Sequence, residues 1–146
     1  MKIAIIISGN AFKAPYISYY ERIFKEQKIE YDLICWNRKL INERGTISFN
    51  VKQSEDKGLI YRFISYVRYR NFVVESLTRN NYEKVVVSTV AIGVLLYPYL
   101  LKNYKRNFVL DIRDFSVIIR FMPGYFRNLV DNSASTVISS GGYSAW

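Results

Sequence analysis

The densest group of residues that could take part in catalysis is the segment Asp111-Ile112-Arg113-Asp114. It follows the apolar run Phe108-Val109-Leu110, which is typical of a buried strand. Carboxylates at the end of a strand can bind sugar hydroxyls or act as general acids and bases. A guanidinium such as that of Arg113 can bind a carboxylate or a phosphate. The segment is therefore the first candidate catalytic site. The alternative is an internal Arg–Asp pair, with Asp114 capping the next helix.

Three other polar loops follow predicted strands: Ser8-Gly9-Asn10, Ser88-Thr89 and Ser139-Ser140-Gly141-Gly142. Gly9 allows backbone to approach a ligand closely, and glycines at a helix start leave amides for an anion. Neither the dinucleotide fingerprint nor the P-loop spacing is present, and plain strand-to-helix turns explain the same residues. The predicted substrate-binding residues are Gly9, Asn10, Lys13, Ser88, Thr89, Ser140 and Gly141.

Composition removes several classes of site. The sequence has no histidine, which excludes histidine-based triads and histidine-containing zinc sites. Its one cysteine, Cys35, lies in an apolar run, so we expect a core residue, no internal disulfide and a cytoplasmic location. The net charge of +9 favours anionic partners without choosing between phosphorylated substrates, anionic lipid and nucleic acid. No apolar run reaches the roughly 18 residues of a membrane-spanning helix.

The apolar runs predict the elements that position these loops. Strands are expected at Ile3–Ile7, Tyr31–Trp36, Thr46–Val51, Lys84–Ser88, Asn107–Leu110 and Thr136–Ile138. Helical patterns separate most of them, and this alternation indicates βαβ units. We therefore predict an α/β fold for residues 1–146, with a Rossmann-like parallel sheet of about six strands and helices on both faces. This is a single domain with three layers, α/β/α.

The helical segments carry further predictions. Pro15 is expected to start a helix whose buried face holds Ile17, Tyr20, Ile23 and Phe24. A long helix over Asp56–Asn80 is expected to bury Ile60, Phe63, Ile64, Val67, Val74 and Leu77. A helix over Ala91–Lys102 should kink or break near Pro98, and one over Ser116–Asn132 should break at Met122-Pro123-Gly124.

Two basic surfaces are expected on these helices. Arg62, Tyr66, Tyr69 and Arg70 share one face of the long helix, and Lys102, Lys105 and Arg106 form a second cluster. Mixed basic and aromatic residues suit an anionic membrane surface, and they also suit single-stranded nucleic acid. A solvated helix face has the same composition.

The fold connects these observations. In an open parallel sheet, ligands bind beyond the carboxyl ends of the strands, where the strand order reverses. All four polar loops follow predicted strands, so we expect them to meet at one rim of the sheet. The motifs, in their order and spacing, resemble the amino-terminal domain of GT-B glycosyltransferases, especially the family-4-like enzymes of capsule and lipopolysaccharide synthesis. The segments that carry the resemblance are Met1–Ile7 with its Ser8-Gly9-Asn10 loop, Val85–Ser88, Asp111-Ile112-Arg113-Asp114 and Val137-Ile138-Ser139-Ser140.

The resemblance implies an enzyme of two Rossmann-like domains that face a cleft. This chain would be the half that binds a saccharide acceptor, often lipid-linked, and the other half would bind the nucleotide-sugar donor. Asp111, Arg113 and Asp114 would lie near the transferred sugar and position the acceptor, with no metal or resident cofactor. The enzyme would be cytoplasmic, peripheral on the inner face of the membrane. The ending after Gly141-Gly142, where a helix is due, leads us to expect a fragment or one half, inactive alone.

Two other functions fit the same residues. One is half of a nucleotide-sugar epimerase built on the same two-domain plan. The other is a non-catalytic basic binding module, for which nucleic acid is a less expected partner than a saccharide. Salt dependence of binding would distinguish that module.

Overall fold

A computed structural model describes residues 1–43, 45–53, 58–113 and 117–138 of the chain. Its six strands are β1 (Lys2–Ile7), β2 (Glu30–Trp36), β3 (Thr46–Phe49), β4 (Lys84–Ser88), β5 (Phe108–Ile112) and β6 (Ser135–Ile138). They form one sheet in the order β3-β2-β1-β4-β5-β6, and every neighbouring pair is parallel. The predicted α/β fold with a six-stranded parallel sheet is confirmed.

The strand order reverses between β1 and β4. From β1 the chain first adds strands on one side, and after β3 it crosses back to place β4 on the other side. In open parallel sheets the connections on the two sides of such a point diverge, and the crevice between them is the usual position of a ligand. The fold thus places its preferred ligand position next to the loops after β1 and β4.

The helices are α1 (Ile17–Glu26), α2 (Leu59–Asn80), α3 (Val90–Leu95), α4 (Tyr97–Asn103), α5 (Val117–Phe121) and α6 (Pro123–Asn132), and a 3-10 turn spans Ala11–Lys13. Both predicted helix breaks are confirmed. Pro98 lies in the first turn of α4 and Pro123 begins α6, positions where the missing N–H of proline has no helical acceptor to lose.

Side chains alternate between two apolar layers along the strands. In β1, Ala4 and Ile6 join the layer formed with α2, α3, α4 and α6, whereas Ile3, Ile5 and Ile7 join the layer beneath α1. Strands buried on both faces explain the unbroken apolar run of β1. The same alternation directs Ser88 and Asp111, the last polar residues of β4 and β5, toward α1.

The predicted buried stripe of the long helix is wrong in its first turns. Ile60, Phe63 and Ile64 are exposed by 79%, 69% and 50%. The fully buried apolar positions of α2 begin at Tyr69 and end at Leu77. These residues are exposed because α2 is longer than the strands it packs on. A helix of 22 residues spans about 33 Å, whereas a five-residue strand spans about 17 Å. The first turns of α2 therefore lie past the end of the sheet.

Two further surface predictions are corrected. Tyr69, expected on the basic and aromatic face, is fully buried against the ring of Trp36, and its hydroxyl donates to the carbonyl of Ile7. Ile23, expected on the buried face of α1, is 48% exposed, whereas Phe24 is buried. Within the ranges described above, no helix combines the length and the apolar character needed to cross a membrane.

Candidate functional site

The predicted polar loops after β1, β4 and β5 lie side by side. The register pairs Ile6 with Val87 and Ser88 with Asp111, so these three strands end at the same rim of the sheet. Gly9, Thr89 and Arg113 each follow their strand within two residues. The predicted residues Asp114, Ser140 and Gly141 lie outside the described residues.

Asp111 sits in a different place from the one the sequence predicts. Strand β5 continues through Ile112, so Asp111 is part of the sheet and not of the loop after it. Its side chain is fully buried, and Oδ2 accepts hydrogen bonds from Tyr20 at 2.7 Å and from Arg113 at 2.6 Å. Its Oδ1 has no partner among the described residues. Asp111 therefore holds the side chains of Tyr20 and Arg113 in place, and its predicted contact with substrate stays a prediction.

The two donors to Asp111 are held in their protonated forms. Burial, and then the hydrogen bond to Asp111, raises the pKa of Tyr20 far above its ordinary value. Burial alone would lower the pKa of Arg113, but its hydrogen bond and charge interaction with Asp111 outweigh burial and raise that pKa. Tyr20 and Arg113 therefore remain donors over the whole physiological pH range.

A second layer of contacts covers this group. The Ser88 hydroxyl donates to the Tyr16 hydroxyl at 2.8 Å, and the Arg113 guanidinium lies 4.4 Å from the centre of the Tyr16 ring. Ser88 and Asp111 are both fully buried under this cover. Arg113 keeps 21% of its side chain exposed, and its Nε has no partner in the described part of the chain. The guanidinium of Arg113 therefore remains partly accessible at the rim.

Thr89 shows local backbone strain at the same rim. Its φ is +92°, a conformation that β-branched residues rarely adopt. The backbone N–H of Thr89 donates to the Asp111 carbonyl at 2.8 Å, which ties the start of α3 to β5. Its buried Oγ1 has no hydrogen-bond partner among described residues. Strain of this kind is common at ligand-binding positions.

Asn10 serves mainly to hold loops together. It is buried, its Nδ2 donates to Asn37 Oδ1 at 2.7 Å, and its Oδ1 accepts from the Lys39 amide at 3.2 Å. Asn37 in turn donates to Asn50 Oδ1 at 2.8 Å and to the Ile41 carbonyl at 2.7 Å. The loops after β1, β2 and β3 are thereby fixed to one another.

A cavity of about 290 Å³ opens beside this network. It is lined by Gly9, Asn10, Lys13, Arg38, Lys39, Gln53 and Arg62, and we call it the cationic cavity. A smaller cavity of about 150 Å³ shares Gly9, Asn10 and Lys13 with it and extends to Tyr16. The two cavities thus run from the loop after β2 to Tyr16, whose ring lies 4.4 Å from the guanidinium of Arg113.

Sequence reasoning placed Gly9, Asn10 and Lys13 in a binding site but missed Arg38, Lys39 and Arg62. The first two of these have a local signal, since Asn37-Arg38-Lys39 directly follows β2 at the same rim. Arg62 has only a general signal, since it belongs to the basic and aromatic face predicted for the long helix, and α2 brings it to the cavity.

Cys35 is a core residue, as predicted. It is fully buried, and burial raises the pKa of its thiol. Its Sγ lies 3.3 Å from Glu43 Oε2 and 3.3 Å from Ser48 Oγ. A protonated thiol in this position is not activated as a nucleophile.

No family model matches this sequence, and no curated protein is significantly similar to it. The geometry and charge of the rim are therefore the observations that bear on function.

Proposed function

We propose that this chain is the acceptor-binding domain of a glycosyltransferase that moves a sugar from a nucleotide-sugar to a saccharide acceptor. The observation that carries the proposal is the meeting of the polar loops after β1, β4 and β5 at the point where strand order reverses. The order and spacing of those loops are also the features that resemble GT-B amino-terminal domains. The donor would be bound by a second domain.

The proposed roles follow from exposure and contacts. Gly9, Lys13 and Thr89 contact acceptor hydroxyls along the rim, and the guanidinium of Arg113 orients the acceptor. Asp111 positions Arg113 through their 2.6 Å ion pair. Asp114 lies outside the described residues, and its role in positioning the acceptor stays a prediction. Transfer through an oxocarbenium-like transition state gains most from a correctly oriented acceptor, which is what fixed groups of this kind supply.

Ligand-observed NMR of the whole chain with neutral oligosaccharides, nucleotide sugars and single-stranded nucleic acid tests the proposal. We expect a neutral saccharide to bind, and Lys13→Gln to weaken binding at least about fivefold, the loss of one charge-assisted hydrogen bond. Lys102→Gln, equally exposed but remote from the rim, is the matched control. Binding of nucleotide sugars alone would instead favour the epimerase half, and salt-sensitive binding of nucleic acid alone would favour the basic module.

We also propose that the exposed start of α2 contacts an anionic membrane surface. Leu59, Ile60 and Phe63 are 81%, 79% and 69% exposed, and the cation Arg62 lies among them. Apolar side chains that enter the head-group region, together with a neighbouring cation, are the usual means of interfacial binding.

Vesicle co-sedimentation tests the membrane contact. The chain should sediment with phosphatidylglycerol-containing vesicles, and Ile60→Gln/Phe63→Gln should reduce the bound fraction without loss of folding, since both side chains are exposed. Ile23→Gln, an exposed apolar residue on the opposite layer, is the control. Equal binding by both variants would refute this contact.

A further inference from the structure

We propose that the cationic cavity binds the diphosphate group of a phosphorylated ligand. The inference deepens the proposed function and rests on it, because the cavity shares Gly9 and Lys13 with the proposed acceptor rim. The ligand would then carry two features, a saccharide and a compact polyanion next to it.

The cationic cavity gathers an unusual amount of positive charge. Lys13, Arg38, Lys39 and Arg62 all line one cavity, and none of the described residues that line it is acidic. In the part of the chain that the structure describes, no carboxylate forms an ion pair with any of the four. Cations gathered in one cavity repel one another, and binding an anion reduces that repulsion. Since one phosphate monoester carries about two negative charges, four cations fit a diphosphate better than a single phosphate.

Arg38 is fixed in place before any ligand arrives. Its guanidinium lies 4.3 Å from the centre of the Trp36 ring and 5.5 Å from that of Tyr66, and it donates to the Tyr66 hydroxyl at 3.2 Å. Trp36 is itself fully buried in the core. Stacking leaves the guanidinium edge available for bidentate binding of phosphate oxygens.

The cavity wall is fixed as well. The Asn10–Asn37 hydrogen bond of 2.7 Å joins the loops after β1 and β2, and the Lys39 amide is tied to Asn10. A Cβ at Gly9 would meet no atom within 4 Å, so the backbone there borders open space. A ligand can therefore approach the Gly9 main chain closely.

Size limits the ligand group. The cavity volume of about 290 Å³ lies just below the roughly 300–1,000 Å³ typical of small-molecule sites. That volume suits a diphosphate with little attached to it. The smaller cavity leads from there toward Tyr16, which gives the remainder of a phosphorylated saccharide a path to Arg113.

Isothermal titration of the whole chain with inorganic pyrophosphate tests the inference. We expect Lys13→Gln/Lys39→Gln/Arg62→Gln to weaken binding about a hundredfold, from the loss of several charge-assisted hydrogen bonds. Lys25→Gln/Lys102→Gln/Lys105→Gln removes the same three charges from exposed positions outside the cavity and should change affinity less than about threefold. Gly9→Leu, which fills the cavity without changing charge, should also abolish binding while folding is retained.

Two outcomes overturn the inference: no heat of binding for the folded wild-type chain, or equal losses for the two triple variants. Vesicles of phosphatidylcholine with phosphatidic acid distinguish the source of the phosphate. Vesicle binding that pyrophosphate competes away, and that Gly9→Leu lacks although its start of α2 is unchanged, supports a lipid head group. Pyrophosphate binding without such competition supports a soluble phosphorylated ligand.

Failure here is separable from failure of the proposed function. If neutral saccharides bind and pyrophosphate does not, the diphosphate inference is wrong and the acceptor-binding proposal stands. If pyrophosphate binds and no saccharide does, the acceptor-binding proposal fails and the cavity remains a diphosphate site.

Discussion

Replacing Arg113 with methionine should destabilise the fold strongly, because it leaves a buried carboxylate without its cation. Asp111 is fully buried, and Arg113 supplies its ion pair at 2.6 Å. Removal of one partner of a buried pair costs about 3–5 kcal/mol. Since Tyr20 still donates to Asp111 and Arg113 is partly exposed, we expect the lower end, about 3 kcal/mol, in the free energy of unfolding.

Urea unfolding, followed by the fluorescence of buried Trp36 and by circular dichroism, measures this cost. With a slope of about 2 kcal/mol per molar urea, the midpoint of Arg113→Met should fall by about 1.5 M. The matched control is Arg127→Met, which removes an exposed pair with Asp131 at 3.9 Å. An exposed pair contributes less than about 1 kcal/mol, so its midpoint should barely move.

The double variant Arg113→Met/Asp111→Asn separates lost charge pairing from lost packing. Neutralising Asp111 removes the unpaired charge, so the double variant should be more stable than Arg113→Met alone. If Arg113→Met costs no more than Arg127→Met, or if the two substitutions at the pair are simply additive, the reasoning about this ion pair is refuted.

Three further predictions concern the rest of the fold. Burial favours the neutral form of Asp32, but hydrogen bonds from Tyr82 and Lys2 outweigh burial and lower the pKa of Asp32 below 3.8. The stability that ionised Asp32 contributes to the fold is therefore present above that pH and is lost below it. Asp32→Asn should therefore make the urea midpoint less sensitive to acidification below about pH 4, and an unchanged acid profile would contradict this. Burial raises the pKa of Tyr104 to about 12, so the stability that the protonated hydroxyl contributes is full below pH 10 and is lost as the pH rises through 12. The urea midpoint of Tyr104→Phe should therefore fall less steeply with alkaline pH than that of the wild type. A Cβ at Gly93 would lie 3.1 Å from a leucine methyl carbon of β5, so Gly93→Leu should lower the free energy of unfolding by about 1–3 kcal/mol through overpacking, and a midpoint equal to wild type would refute it.

Local patterns in the sequence are sufficient to predict the strands of the sheet and the breaks in the helices. The unbroken apolar run of β1 indicates a strand buried on both faces, and the structure buries every residue from Ile3 to Ile7. Pro98 and Pro123 mark helix breaks because proline acts on the backbone next to it. Such signals depend on only a few neighbouring residues, so they can be interpreted without knowledge of the fold.

The length of an element relative to its neighbours is not a local property. Periodicity predicts that Ile60, Phe63 and Ile64 share a face of α2, but it does not say that the sheet ends before them. The exposed start of α2 follows from a 22-residue helix packed on much shorter strands. Only the assembled layers reveal which part of an apolar stripe is covered.

The candidate site is the least local feature of all. Asp111 is buried on the face of the sheet that α1 covers, where Tyr20, 91 positions away in sequence, donates to it. The cationic cavity likewise gathers Lys13, Arg38 and Arg62 from three separate segments. Sequence reasoning located the rim, since strand ends meet there in any parallel sheet, but the partners of each side chain depend on how α1 and α2 pack.

We propose that ligands of this protein bind at the carboxyl rim of the sheet, above the ends of β1 and β4, where the strand order reverses. Amide NMR spectra of the labelled chain, titrated with the saccharide that binds it, test this claim directly. We expect the largest changes in chemical shift at Gly9, Lys13, Thr89 and Arg113. Changes concentrated at the opposite rim, around Lys84 and Asn107, would contradict it.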